Sequence, residues 1–182
     1  MTIFTIGHSM HTKDEFLHML HHAGVDTLVD IRSIPASRKY PHFKKENMEK
    51  WLPQSGVDYQ HLPLLGGRRP RSPYIQDALN NAWQNQSFHN YADYTLSTDF
   101  QEGIDELKDL ATKNQVAYCC AERHPSRCHR LLISNWLTAN DWKVKHIIDI
   151  KDDNVEMIIH ELGRWGAMPI IESDGTVVYP KY

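Results

Sequence analysis

The sequence predicts an α/β fold, a single three-layer domain with a mostly parallel sheet. Three observations predict it. Five apolar or β-branched runs alternate with segments of helical spacing. Several of those runs are apolar at neighbouring positions, as strands covered on both faces are. The chain has 182 residues, 41% of them hydrophobic, which is enough for one core and too short for two full domains.

The elements follow in order. Residues 2–6 form a strand that runs into the turn Gly7-His8-Ser9. Thr12 with Glu15 three residues on is a capping box, and Phe16, Leu17, Leu20 and Ala23 give the following helix its apolar face. Gly24 stops it. Residues 25–31 are the second strand. The stretch after it, rich in Arg, Pro and Ser, is irregular because each proline fixes its own φ and restricts the residue before it. A helix is expected over 44–54, a third strand over 57–62, and an Arg- and Gly-bearing loop over 63–73. Further helices are expected over 75–85, 88–97 and 100–113. Residues 115–121 are the fourth strand, Ser126 caps a helix over 127–139, and 144–150 is the fifth strand. Residues 1–150 are thus expected to form the α/β domain. Residues 151–182 are expected to pack on it as a small C-terminal helix/hairpin appendage, with a helix over 155–164 and a turn at Asp174-Gly175.

Charge and cysteine content limit the functional classes. The net charge of −3 argues against a broad nucleic-acid-binding surface, though not against a local basic pocket. No apolar run is long enough for a membrane span, and the N-terminal residues lack the pattern of a signal peptide. Cys119, Cys120 and Cys128 are odd in number and two are adjacent, a poor disulfide framework. Free thiols in a reducing cytoplasm are the expectation.

The ionisable residues collect at strand ends, where open α/β sheets bind ligands. His8 and Ser9 follow the first strand, Asp30 and Arg32 close the second, and Glu122 and Arg123 follow the fourth. Of nine arginines, all but Arg164 lie in such loops or at the start of the helix after Ser126. The lysines are spread mostly over helices and the tail. Arginine is the planar, bidentate partner of phosphate and carboxylate, so the asymmetry points to an anionic ligand. A structural network of arginines with Asp30 and Glu122 would also account for it.

Cys128, His129 and Arg130 fall in the first turn of the expected helix, whose field and arginine neighbours favour a thiolate. Cys128 is therefore a candidate nucleophile, with His129 as its acid or base, or else a small packing residue. A phosphatase-like C-x5-R loop does not fit. From Cys120, Cys119 and Cys128 the arginine position holds Ser126, Pro125 and Ser134. A rhodanese-like C-x4-R loop from Cys120 meets Pro125. No dinucleotide or P-loop motif occurs. Leu65-Gly66-Gly67-Arg68-Arg69 could cradle a phosphate. His18 and His22 lack the glutamate of a zinc-protease helix, and no C-x-x-C pair supports a site from Cys120, Cys128, His129 and His8, so no metal is assigned. No cofactor is indicated. Phe88, Tyr91, Tyr94 and Phe100 form a core stripe, with Tyr91 or Tyr94 as a possible base-stacking platform.

In order along the chain, Thr5-Ile6-Gly7-His8-Ser9, Val29-Asp30-Ile31-Arg32, Ser37-Arg38, Leu65-Gly66-Gly67-Arg68-Arg69, Tyr91-Ala92-Asp93-Tyr94 and the long C-A-E-x-x-P-x-x-C-H-R element ending at Arg130 resemble domain-of-unknown-function family 488 over about residues 3–150. Cys119 stands where an aliphatic residue is usual and Tyr40 where a small polar one is. The resemblance implies one α/β domain and no settled activity. It marks His8, Ser9, Asp30, Arg32, Arg38, Glu122, Cys128, His129 and Arg130.

Two functional readings result. In one, the chain is an enzyme acting on a phosphate-bearing ligand, a nucleotide or nucleic-acid end. Arg32, Arg38, Arg123 and Arg130 hold the anion, assisted by Ser9 and Arg68. Asp30 or Glu122 acts as general base or acid, and His8 or His129 moves protons. In the other, the same pocket binds or senses the anion without turnover. A structural polar network in a protein that works through a partner interface is the third possibility. No protein partner is identifiable.

Overall fold

A computed structural model describes residues 1–182. Its centre is a six-stranded sheet, with elements β1 (Thr2–Gly7), β2 (Thr27–Asp30), β3 (Asp58–His61), β4 (Val116–Cys120), β5 (Lys143–Lys151) and β6 (Asn154–Ile159) in the order β3-β2-β4-β1-β5-β6. The first five strands run parallel and β6 is antiparallel to β5. The helices are α1 (Lys13–His22), α2 (Lys45–Gln54), α3 (Gln86–Tyr94), α4 (Thr98–Lys113) and α5 (Arg130–Ala139). Strands β7 (Ile170–Ile171) and β8 (Val177–Val178) form a separate hairpin. No helix is long and apolar enough to cross a membrane.

Two cores sandwich the sheet. On one face Phe16, Met19 and Leu20 of α1 and Met48, Trp51 and Leu52 of α2 pack against Phe4, Ile6 and Leu28. On the other, residues of α3, α4 and α5 pack with Ile3, Val29 and Tyr118, joined by Val177 and Tyr179 of the C-terminal hairpin. The chain travels outward from β1 to β3 with its helices on the first face and returns through β4 to β5 on the second. Right-handed crossovers require that change of face when the direction reverses. Loops after β1 and β2 therefore leave one way and the loop after β4, lying between them, leaves the other. A crevice opens at that point.

Local chemistry explains the elements. Thr12 Oγ1 accepts from the Glu15 amide at 3.1 Å and Glu15 Oε1 accepts from the Thr12 amide at 2.8 Å, completing the capping box. Asn85 and Ser97 cap α3 and α4, so both begin two residues ahead of the expected positions.

Three expectations are corrected. Over 75–85 there is one 3-10 turn, Asp77–Leu79, instead of a helix. There the Asn80 side chain is drawn inward, donating to Asp93 at 2.7 Å and accepting from the Tyr179 amide at 3.0 Å. Over 155–164 there is no helix: β6 runs to Ile159 and a turn follows. Asp152 and Asp153 both have positive φ (50° and 65°), the two-residue turn that reverses a strand onto its neighbour. Finally, Ser126 does not cap α5. Residues Pro125–Arg127 form a 3-10 turn, and α5 begins at Arg130 with His129 as its N-cap.

Candidate active site

At the carboxyl ends of β1, β2 and β4 lies an open cavity of about 510 Å³. His8 enters from β1, Arg32 and Ser33 from β2, Gly67 and Arg68 from the loop after β3, and Glu122, Arg127, Cys128 and His129 from the segment after β4. Glycines permit this convergence. A Cβ on Gly7 would collide with the Glu122 carbonyl, and one on Gly67 would come within 2.5 Å of His129 Nδ1. Pairing of β1 with β4 continues beyond the sheet, the His8 and Ser9 amides donating to the Cys120 and Ala121 carbonyls at 2.9 Å. This continuation holds Ser9 at φ 45°.

Asp30 is fully buried and fully engaged. Its oxygens accept from Arg32 Nε at 2.9 Å, Arg32 Nη2 at 2.6 Å, the Arg32 amide at 3.1 Å and Tyr59 Oη at 2.5 Å. Arg32 Nη2 also reaches the Phe43 carbonyl at 2.7 Å. Burial alone would lower the Arg32 pKa, but the hydrogen bonds and charge of Asp30 more than offset this and raise it. His8 Nδ1–H donates to the Ser9 carbonyl at 2.9 Å, which leaves Nε2 facing Arg32 Nη1 at 3.3 Å as acceptor. Burial, reinforced by Arg32, pushes His8 down to about 4, so the ring is neutral at pH 7.

Across the cavity, Cys120 and Cys128 place their Sγ atoms 2.7 Å apart. Arg130 lies beneath them, fully buried. Its Nε donates to Cys120 Sγ at 3.0 Å, its Nη1 to Thr5 Oγ1 at 2.9 Å, and its Nη2 to the Glu122 and Arg123 carbonyls at 2.5 and 3.2 Å. Its amide donates to Cys128 Sγ at 3.2 Å. Burial pushes the Cys128 thiol up, but the Cys120 hydrogen bond and the Arg130 charge prevail and bring it down to about 7. Burial and the neighbouring Cys128 push the Cys120 thiol well above the ordinary range. When Cys128 is ionised, Cys120, which keeps its proton, is the donor of the pair. His129 Nε2–H donates to the Ile31 carbonyl at 3.2 Å, which leaves Nδ1 unprotonated, and burial lowers its pKa.

The residues singled out from sequence therefore separate. His8, Arg32, Arg68, Glu122, Cys128 and His129 line the cavity. Ser9, Asp30, Arg38, Arg123 and Arg130 do not. Arg123 turns to β5 and pairs with Asp149 at 2.6 Å. Arg38 is exposed elsewhere on its loop. Arg69 pins its own loop, donating to the Gly66, Pro63 and Leu64 carbonyls and stacking 3.9 Å over Tyr94. The base-stacking candidates are occupied too, since the Tyr91 and Tyr94 hydroxyls donate to the Leu65 and Leu64 carbonyls. Phe88 is the aromatic that lines the cavity. Arg127, Ser33, Ser37 and Ser87, which the sequence does not single out as site residues, also line it, as does Cys120, which the sequence offers for a phosphatase-like loop and a metal set and assigns to neither. Cys120 was legible in principle, because its neighbour Cys119 must point to the opposite sheet face. No three His, Cys, Asp or Glu side chains are grouped to hold a metal ion.

No curated protein and no solved structure matches the chain. The family model described as "Domain of unknown function DUF488" matches residues 12–137, spanning β2, β4 and the whole segment from Glu122 to Arg130. The chain belongs to the DUF488 family.

Proposed function

We propose that the chain is an enzyme acting on a phosphate-bearing ligand, a nucleotide or nucleic-acid end, bound in this cavity. One observation carries the reading. Arg68 and Arg127 are exposed, line the same cavity, and have no carboxylate or carbonyl partner, while the Cys128 thiol, held low by its hydrogen bond with Cys120 and by the buried Arg130 charge, lies in the wall between their segments. Exposed guanidinium groups without partners suit phosphate oxygens. The hydroxyls of Ser33, Ser37 and Ser87 add donors, and Phe88 gives an apolar wall.

Cys128 is the nucleophile in this reading. Its attack on phosphorus would form an S–P bond and break the P–O bond, the leaving oxygen taking a proton from solvent. The Glu122 carboxylate at the mouth then accepts the proton of the water or hydroxyl that cleaves the S–P bond and releases the thiolate, with the unprotonated His129 Nδ1 as the alternative acceptor. Hydrolysis and transfer share this first step. Arg32 and Asp30 position His8 and do not exchange protons with the ligand. A binding module without turnover is the second reading. It is favoured by the sealing of Asp30, which leaves the exposed Glu122 as the one carboxylate lining the cavity.

The test is thermal unfolding of the full chain with inorganic phosphate, AMP and a 5′-phosphorylated oligonucleotide. A ligand at about 100 times its Kd adds ~2.7 kcal/mol. At this chain length that is roughly 5–11 °C in Tm. No shift with any of the three overturns the assignment. Glu122→Gln that retains the shift but loses turnover supports the enzyme, and a wild-type shift without turnover of any bound ester supports the binding module.

A further inference from the structure

Arg130 presents a problem that phosphate binding does not solve. Its guanidinium is fully buried, yet no carboxylate pairs with it. A buried charge without a counter-charge is strongly unfavourable. The groups around it are one hydroxyl, two carbonyls and two sulfurs. Only the sulfurs can become anionic, and they already touch each other at 2.7 Å. Both line the cavity, and Cys128 is 8% exposed, so a small solute reaches them. Cys119, one residue before Cys120, belongs to the core on the opposite face of the sheet. The fold thus brings two of its three cysteines together and excludes the third.

We propose that Cys120 and Cys128 are a redox-active dithiol that reacts with hydroperoxides entering the cavity. The Cys128 thiolate attacks the distal peroxide oxygen. An S–O bond forms, the O–O bond breaks, and the departing oxygen leaves as water or alcohol after taking a proton from solvent. Cys128 is then a sulfenic acid and the peroxide has been reduced by two electrons. The Cys120 sulfur attacks the sulfenic sulfur. The S–S bond forms, the S–O bond breaks, and hydroxide leaves with the Cys120 proton as water. Two thiols and one hydroperoxide have become one disulfide, one alcohol or water, and one water. A dithiol reductant reverses the change by exchange. Arg130 is the positioning residue, holding charge beside both sulfurs throughout. This inference stands independently of the phosphate reading.

The experiment treats the full chain with hydrogen peroxide and reads thiol count, intact mass and a tryptic map. The expected result is loss of two of the three thiols, an intact mass lower by two hydrogens, and a disulfide joining peptides 114–123 and 128–130. Dithiothreitol restores all of it. Cys119→Ser keeps the cross-link, and fragmentation of the linked wild-type peptide assigns it to Cys120 should that variant fail to fold. Cys120→Ser instead accumulates a dimedone-reactive sulfenic acid at Cys128. Three thiols surviving, links only between chains, or a link to Cys119 overturns the proposal. A disulfide without any phosphate-induced shift sinks the phosphate reading alone, and a phosphate shift without a disulfide sinks this one alone.

Discussion

Arg32 and Arg130 are both buried beside one cavity, and their surroundings differ in kind. Arg32 is matched by a carboxylate in bidentate contact, with Tyr59 on the same oxygen. Arg130 is matched by two sulfurs, a hydroxyl and carbonyls. A carboxylate is permanently charged at neutral pH, so the first arrangement is fixed. A thiol pair gains or loses its charge with pH and with oxidation, so the second can change. The difference separates a positioning device from a reactive one.

Substitution should expose that difference at its largest. Arg32→Ala leaves the Asp30 carboxylate buried without its cation, which costs about 3–5 kcal/mol. Arg130→Ala leaves no stranded carboxylate. The sulfurs take up a proton, and the cost falls to about 2–3 kcal/mol, from lost hydrogen bonds and volume. Urea unfolding at pH 7 checks the order, and Arg130→Ala proving the more damaging variant would end the distinction. In Arg130→Lys, whose single ammonium replaces the fork, alkylation of Cys128 should titrate at a pH above about 7.

A smaller effect comes from the histidines attached to each arginine. His8 faces Arg32, with Asp30 and His42 nearby, and is held at about 4. On the other side a chain of hydrogen bonds runs from Arg130 through Thr5 to His146 Nδ1 (2.6 Å), on to His160 (2.9 Å), Asn135 (2.8 Å) and Tyr179 (3.0 Å). Burial pushes His146 down to about 2, with His160, Arg130 and His124 adding repulsion, and burial pushes His160 down to about 4. All three are neutral in the folded protein and take a proton below about 6.5 when unfolded. Their contribution is therefore fully present above pH 6.5 and is lost as pH falls, down to about 4 for His8 and His160 and on to about 2 for His146. Each removes about 1.4 kcal/mol per pH unit once its unfolded form titrates. His8→Gln and His160→Gln should each lower the slope of stability between pH 6 and pH 4.5 by up to about 1.4 kcal/mol per pH unit. An unchanged slope in His160→Gln would show that the network beneath Arg130 is not neutral.

How much of this was legible depended on whether a residue's partner lay near it in sequence. The capping box at Thr12, the stop at Gly24 and the strand-end clustering of His8, Arg32 and Glu122 follow from local spacing, and the fold shows each. The helix expected over 155–164 is absent because the signal for β6 is a pair of aspartates with positive φ, a turn more often marked by glycine. Arg32 and Arg68 line the cavity as expected, but Arg123 and Arg130 do not, for a related reason. Sequence shows that a guanidinium lies at a strand end but not which carbonyl or carboxylate lies opposite. Arg123 and Arg130 are occupied by Asp149, 26 residues away, and by Thr5, 125 residues away. Arg127 gave no sign that it alone of its segment's arginines lines the cavity.

The smallest stability effect carries the sharpest functional contrast. Arg68→Ala and Arg127→Ala remove exposed side chains with no intramolecular partner, so each should change folding stability by no more than ~0.5 kcal/mol. Arg38→Ala, exposed and not lining the cavity, should do the same. If Arg68 and Arg127 hold the phosphate, however, the first two variants lose most of the Tm shift given by inorganic phosphate while Arg38→Ala keeps it. The shift in wild-type protein should also shrink as sodium chloride is raised, because charges at an open mouth are screened within about 10 Å at 0.1 M. Buried pairs are screened far less, so the order of Arg32→Ala and Arg130→Ala should persist at the same salt. A phosphate shift that survives both rim substitutions would move the anion off the rim. Of the arginines lining the cavity only Arg32 would then remain, and its engagement by Asp30 would have to be broken for it to bind.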